Sequence, residues 1–337
     1  MSFNDNGGPK ICGYRGYKPL GEILLRNEWS KVVVAIFGAA GFVGRNIVNR
    51  LEKEDLDFVA TDVVKSPFGK EVDYFKADML DPEAVREVVG KADVVVHLAA
   101  SPLLTSLEEP RINMRINIEG TLNIMDASRE FKIDKVIFSS ASSVVGDVKY
   151  SPVDEEHPCT PKTPYAVAKK ACEDYMRVYK ELFDLDYLVF RLFNVYGPWQ
   201  YPESKALIPL VYETLTRGKI FNIYGDGSAT RDFIYVEDVA DFFYQAIQKN
   251  LKNEVVNLGS GEATAILELV SLSSELLKVR PRLAYKPARL GEISNFVANT
   301  SKLEKLFQRK PSTSLKQGLE CTFGWLKKFS NGQSLQN

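Results

Sequence analysis

Tyr165 and Lys169 stand four residues apart, a spacing that puts both side chains on one face of a helix. A phenol ionises near pH ~10 and is a poor base at neutral pH, but a neighbouring ammonium favours the phenolate and lowers that value. Such a pair can move a proton to and from a substrate hydroxyl. The same spacing recurs at Tyr14/Lys18 and Tyr201/Lys205. Those pairs fall in an irregular N-terminal stretch and in a Pro-bounded loop, where a structural or accidental origin is the simpler reading. Only Tyr165 opens a helical pattern after a serine-rich strand, so Tyr165 and Lys169 are the candidate catalytic pair.

A second stretch supplies what a proton carrier needs beside it. Gly38-Ala-Ala-Gly41-Phe42-Val43-Gly44 follows an apolar run and opens a helical pattern. The first glycine permits a tight turn, the second lets backbone approach a pyrophosphate, and the third allows close helix–strand packing. Phosphates then sit on the unpaired N–H groups of the helix N-terminus. Asp62 ends the next apolar run, 18 residues after Gly44, where a carboxylate accepts both ribose hydroxyls and repels a 2′-phosphate. The expected cofactor is therefore NAD rather than NADP. Its positive nicotinamide ring also favours the phenolate, and Lys169 is placed to hold the nicotinamide ribose.

Elements that position these groups are legible as an alternation. Short β-branched runs occur at 32–37, 58–61, 93–98, 135–139, 187–193 and 254–258. Helical patterns lie between them at 43–53, 82–89, 111–131 and 165–183. Strand–helix alternation predicts an α/β fold, a doubly wound parallel sheet of Rossmann type. Later patterns at 207–217, 239–248, 265–278 and 315–327 predict a smaller, mostly helical C-terminal substrate lobe. The expected division is an N-terminal extension at 1–30, a NAD-binding domain at 31–195, a partly interleaved substrate lobe at 196–330 and a tail at 331–337. Asp238 reads as a helix N-cap before Val239.

Composition narrows the classes. The 337 residues carry 43 Lys plus Arg against 44 Asp plus Glu, a net charge of -1, which argues against nucleic acid or an anionic membrane as partner. The apolar stretch 32–44 is too short and too Gly-rich to span a bilayer. Residues 1–19 lack the basic-then-apolar order of a signal peptide. Cys12, Cys159, Cys172 and Cys321 are scattered, with no metal-ligand spacing or disulfide framework. A reducing cytoplasm is the expected setting, with no metal.

The chain resembles the extended short-chain dehydrogenase/reductase family of nucleotide-sugar epimerases and dehydratases. The glycine spacing, Ala77-Asp78-Met79, His97-Leu98-Ala99-Ala100, Asn117 in Ile-Asn-Ile-Glu-Gly-Thr, Tyr165-Ala-Val-Ala-Lys169, Arg191-Leu-Phe-Asn194-Val-Tyr-Gly197-Pro, Arg231-Asp-Phe-Ile-Tyr-Val-Glu-Asp238 and Asn257-Leu-Gly-Ser-Gly261 carry the resemblance. It implies that Asp78 and Met79 border the adenine, that Leu98, Ala99 and Ala100 line the cofactor groove, and that Asn117 braces the sheet or a water beside it. It implies Asn194, Tyr224, Arg231, Arg289 and Glu292 as substrate-binding residues, Arg231 and Arg289 suiting a diphosphate. Helices 111–131 and 165–183 resemble the family's dimer interface, so a homodimer is expected.

One departure stands out. The position where the family carries the hydroxyl that bonds the reacting group falls on Ala141, and Ser140 and Ser142 are the alternatives. Acids that the dehydratases carry just beyond are Ser142 and Ser143 here, and neither is a useful acid or base unaided. Glu155 and Cys159 are the nearest replacements in sequence and read as surface residues. The expected function is a NAD-dependent nucleotide-sugar 4-epimerase, acting on a UDP-sugar through a 4-keto intermediate. A dehydratase is the alternative, and a non-catalytic NAD and nucleotide-sugar-binding protein the second.

Overall fold

Each predicted strand forms around a short apolar run, and Val33–Phe37 and Val94–His97 are β-branched runs buried on both faces. The computed structural model describes residues 32–288 and 295–330. In chain order these form β1 (Val33–Phe37), α1 (Phe42–Lys53), β2 (Asp57–Asp62), β3 (Tyr74–Lys76), α2 (Pro82–Val89), β4 (Val94–His97), α3 (Leu103–Glu108), α4 (Pro110–Met114), α5 (Gly120–Glu130), β5 (Lys135–Ala141), α6 (Pro164–Phe183), β6 (Tyr187–Leu192) and β7 (Asn194–Tyr196). Then come α7 (Leu207–Thr216), β8 (Ile220–Tyr224), β9 (Thr230–Arg231), β10 (Phe233–Tyr235), α8 (Val236–Gln248), β11 (Glu254–Leu258), β12 (Thr264–Ala265), α9 (Ile266–Leu277), β13 (Arg282–Lys286), β14 (Asn295–Phe296), α10 (Ser301–Phe307) and α11 (Leu315–Ser330).

The main sheet has seven parallel strands in the order β11-β6-β5-β4-β1-β2-β3. Its order reverses between β1 and β4, and the crevice beyond the strand ends there is where doubly wound folds bind ligands. One face is sealed by α1 and α8 through Ile47, Leu51, Phe242 and Phe243. The other is sealed by α2, α5 and α6 through Val85, Val88, Ile124, Met125, Cys172 and Met176. A separate core joins α7, α9 and α11 around β8, with Val211, Ile223, Leu269 and Leu319 buried. The edge strand β11 and helix α8 come from the later part of the chain, so that part completes the sheet as well as this second core.

Several local expectations need correction. The pattern at 111–131 is not one α-helix: after α4 the turn widens to a π-helical segment, Arg115–Glu119, before α5. There Asn117 Oδ1 accepts from Ser101 N at 2.7 Å and its Nδ2 donates to Ser101 O at 3.1 Å, fastening the loop after β4. Such widened turns frequently mark functional regions. Helix α8 starts at Val236, so Asp238 is not its N-cap. Its carboxylate instead accepts from Ser312 N, Ser312 Oγ and Thr313 N, tying the approach to α11 onto α8.

Candidate active site

Helix α1 begins directly on the glycine turn, with Gly41 as N-cap and no side chain capping it. By contrast, Asp81 caps α2 through Glu83 N and Ala84 N. The bare first turn of α1, with no acidic residue in it, leaves N–H groups for an anion. Gly38 has φ +86, and a Cβ there would lie 2.6 Å from Ala99 N. Only glycine fits that conformation and that approach. A Cβ at Gly44 would run into Gly38 O.

A cavity of about 480 Å³ runs from this turn to the start of α6. Gly38, Gly41, Phe42, Val43, Gly44, Leu98, Ala100, Ser140, Tyr165, Lys169 and Asn194 all line it, as does Ala141. These residues therefore meet across loops widely separated in sequence. Its volume suits a small-molecule cofactor and substrate site. Asp62 stands beside the glycine turn, its Oδ2 accepting from Ala40 N at 3.1 Å and its Oδ1 from Val63 N at 2.8 Å. Ala99 lies behind Gly38. Met79 is buried against Gly120, and exposed Asp78 accepts from Leu80 N.

Tyr165 sits in the first turn of α6, which Thr163 caps through Ala166 N. Lys169 is 3% exposed, with Nζ donating to Ser139 O at 2.7 Å and lying 5.8 Å from the Tyr165 ring centroid. Burial pushes the phenol up to about 12 and the ammonium down to about 8. For the phenol, burial acts first and the neighbouring Cys172 second. Behind the pair, buried His97 is held neutral, its pKa lowered to about 3 by burial and then by Lys169. Its Nε2 lies 2.8 Å from Thr121 Oγ1, and Cys172 Sγ donates to Asn117 O at 3.1 Å.

The serines do not deliver what was expected of them. Ser140 lines the cavity, but its Oγ donates to Glu173 Oε1 at 2.6 Å. That carboxylate is in turn paired twice with Arg191, at 2.9 and 3.1 Å. Strand alternation explains this, because Ser140 shares a face with Val136 and Phe138 and points at α6. Ser142 is buried in the short turn Ser142–Val144, outside the cavity wall. Ser143 on that turn was set aside in the sequence, yet its Oγ is buried without a partner among the described residues.

Tyr224 and Arg231 lie apart from this wall. Tyr224 ends β8 and Arg231 belongs to β9, with Nη1 donating to Thr230 O at 2.8 Å. Arg289, Glu292, residues 1–30 and the 331–337 tail lie outside the described residues, as does the Tyr14/Lys18 pair. Tyr201 packs on Trp325 and Phe329, in keeping with the structural reading of the Tyr201/Lys205 spacing. Glu155 accepts from Asn257 N at 2.7 Å, and neither it nor Cys159 reaches the cavity wall. Among the described residues no cluster of His, Cys, Asp or Glu could hold a metal, and no helix is long and apolar enough to cross a membrane. Gln200 is a wall residue that sequence reasoning missed.

Known proteins match this geometry over most of the chain. A UDP-glucose 4-epimerase of Mycolicibacterium smegmatis is 30% identical over 308 residues, covering 88% of this chain and 98% of that protein. Among solved structures, the UDP-glucose 4-epimerase of Thermotoga maritima with UDP-glucose superposes with a TM-score of 0.83 at 29% identity, covering 88% of this chain and 99% of that one. The UDP-glucose 4-epimerase of Thermus thermophilus in complex with NAD gives 0.80 at 29% identity with the same coverage. The profile described as Epimerase, NAD dependent epimerase/dehydratase family, matches residues 34–259. With its bare glycine turn, its half-buried Tyr165 beside buried Lys169 and its doubly wound sheet, the chain belongs to the NAD dependent epimerase/dehydratase family.

Proposed function

We propose that this protein is a NAD-dependent nucleotide-sugar 4-epimerase acting on a UDP-sugar. The observation that carries this reading is the make-up of the cavity wall. Among the described residues it contains no Asp, Glu, His or Cys, and its ionisable groups are Tyr165, Lys169 and Tyr196. Tyr196 is 2% exposed, and its hydroxyl donates to Leu315 O at 3.4 Å. Removing a C5 proton and protonating a leaving group, as a dehydratase must, needs acid–base groups beyond Tyr165 and Lys169, and the described residues of this wall supply none. Inversion at C4 through a 4-keto sugar needs one group that takes and returns the same proton. The named epimerase relatives support the choice.

NAD, held by the glycine turn, Asp62 and Lys169, supplies a hydride acceptor and donor when bound. Only as the phenolate, which the Lys169 charge and the positive ring of bound NAD+ would favour, can Tyr165 Oη take the proton of the 4-hydroxyl and give it back to the ketone oxygen on return. Lys169, anchored on Ser139 O, supplies positive charge toward the phenolate and fixes its direction. Asn194 Nδ2 is occupied with Asp232 O at 2.9 Å, which leaves its Oδ1 for the sugar. Cofactor-lobe residues 31–195 and substrate-lobe residues 196–330 share the work, and Arg231, Tyr224, Arg289 and Glu292 serve the nucleotide end. Replacing Tyr165 by Phe should cut turnover by about 10³-fold while NAD remains bound. Unchanged turnover sinks the assignment.

One observation favours a second reading, a non-catalytic binding protein: position 141 lacks a hydroxyl and that of Ser140 is committed to Glu173. Tight NAD and UDP-sugar binding without hydride transfer identifies it. A cytoplasmic homodimer is also proposed. Free Cys159, Cys172 and Cys321 support a reducing setting. An apolar groove on α4 and α6, with exposed Met114 and Val167 beside Pro110 and Pro161, supports the dimer. Sedimentation as a monomer at micromolar concentration contradicts it.

A further inference from the structure

The loop between β7 and α7 is built to hold one side chain still. Trp199 adopts φ +71, a left-handed conformation that a bulky residue occupies only when its surroundings require it. The Arg45 guanidinium lies 4.6 Å from its ring centroid, and Trp325 packs against it at 5.5 Å. Asn46 Nδ2 donates to Pro198 O at 3.1 Å, and Arg45 Nε donates to Ala40 O at 3.0 Å. The loop is thereby fastened to α1 and to the glycine turn.

Gln200, the next residue, lines the cavity. Its Nε2 donates to Val195 O at 3.0 Å, and its Oε1 is buried with no partner among the described residues. The carboxamide orientation is fixed by chemistry, since turning it over would set two oxygens face to face. The result is a buried acceptor on a wall residue, and it requires an N–H or O–H donor.

We infer that Gln200 Oε1 accepts a hydrogen bond from the carboxamide N–H of the nicotinamide and so positions the ring against the Tyr165 side of the cavity. The inference rests on NAD as cofactor and not on which sugar reacts, so it and the epimerase reading can fail separately. The sugar hydroxyl is the competing donor. The anchoring of the loop on Arg45 and Asn46 of α1, the helix that opens on the pyrophosphate site, favours the cofactor.

The test is a ligand–variant cycle on the full chain freed of dinucleotide. NAD+ and 3-acetylpyridine adenine dinucleotide, in which a methyl replaces the amide NH2, are titrated by calorimetry into the protein, Gln200→Leu and Gln200→Met. The parent should prefer NAD+ by about fivefold to tenfold, the range of one net hydrogen bond, and both variants should fall to about twofold or less. General loosening of the loop weakens both dinucleotides alike and cancels in the ratio. A parent without preference, a preference that survives substitution, or a change confined to the KM of the sugar overturns the inference. Gln200→Met preserves side-chain length and carries the test if the Leu variant does not fold.

Discussion

Replacing Lys169 by Met should alter stability in a way that depends on pH. Lys169 is 3% exposed, and burial lowers its pKa from 10.5 to about 8. At neutral pH the ammonium is charged in folded and unfolded chains alike, and the folded state bears about 3 kcal/mol against it. As pH rises through 8 the folded chain releases this proton, while the unfolded chain holds its own until 10.5. The unfolded state then binds more protons, so wild-type stability rises with pH across that window. At pH 9.5 the penalty has fallen to about 1 kcal/mol on the same linkage. The Met variant has no such group. Between pH 7 and 9.5 the stability difference should therefore move by about 2 kcal/mol in favour of the wild type. Urea unfolding of both proteins without dinucleotide, followed by far-ultraviolet circular dichroism, measures this directly. A difference that stays constant with pH refutes the burial argument, whatever its absolute size.

Glu173→Ala should cost about 3–5 kcal/mol, because it strands the Arg191 charge in the interior. The Glu173→Leu/Arg191→Met double variant should cost much less, and equal losses in urea midpoints contradict this. Gly38→Ala should abolish tight NAD binding, since the new Cβ meets Ala99 N at 2.6 Å at φ +86; calorimetric titration with unaltered affinity disproves the turn's role. Ala141→Ser places a hydroxyl in the cavity wall and should raise kcat with little change in KM. A lower kcat there means that the wall is already matched to its substrate.

The fold and the glycine turn that opens α1 were legible because their signals are local. Val33–Phe37, Val94–His97 and Glu254–Leu258 are short runs suited only to buried strands, and the glycine turn and the Tyr165/Lys169 spacing each lie within one turn of chain. Strand β3 escaped notice because Tyr74–Lys76 is too short to show a period. The widened turn at Arg115–Glu119 was hidden because its apolar pattern continues that of a helix. Its break accompanies the grip of Asn117 on Ser101, a contact between distant segments. The commitment of Ser140 depends on Glu173, 33 residues later. Gln200 carried no signal, since its role comes from Val195, Arg45 and Trp325 meeting around one loop.

The measurement that tests the central claim most directly is proton NMR of the protein with NAD+ in D2O and three UDP-sugars: glucose, N-acetylglucosamine and glucuronate. The account predicts that at least one is inverted at C4 without deuterium on carbon, because the hydride leaves and returns within the site. A deoxy-keto or unsaturated product carrying solvent deuterium would contradict it and establish elimination instead.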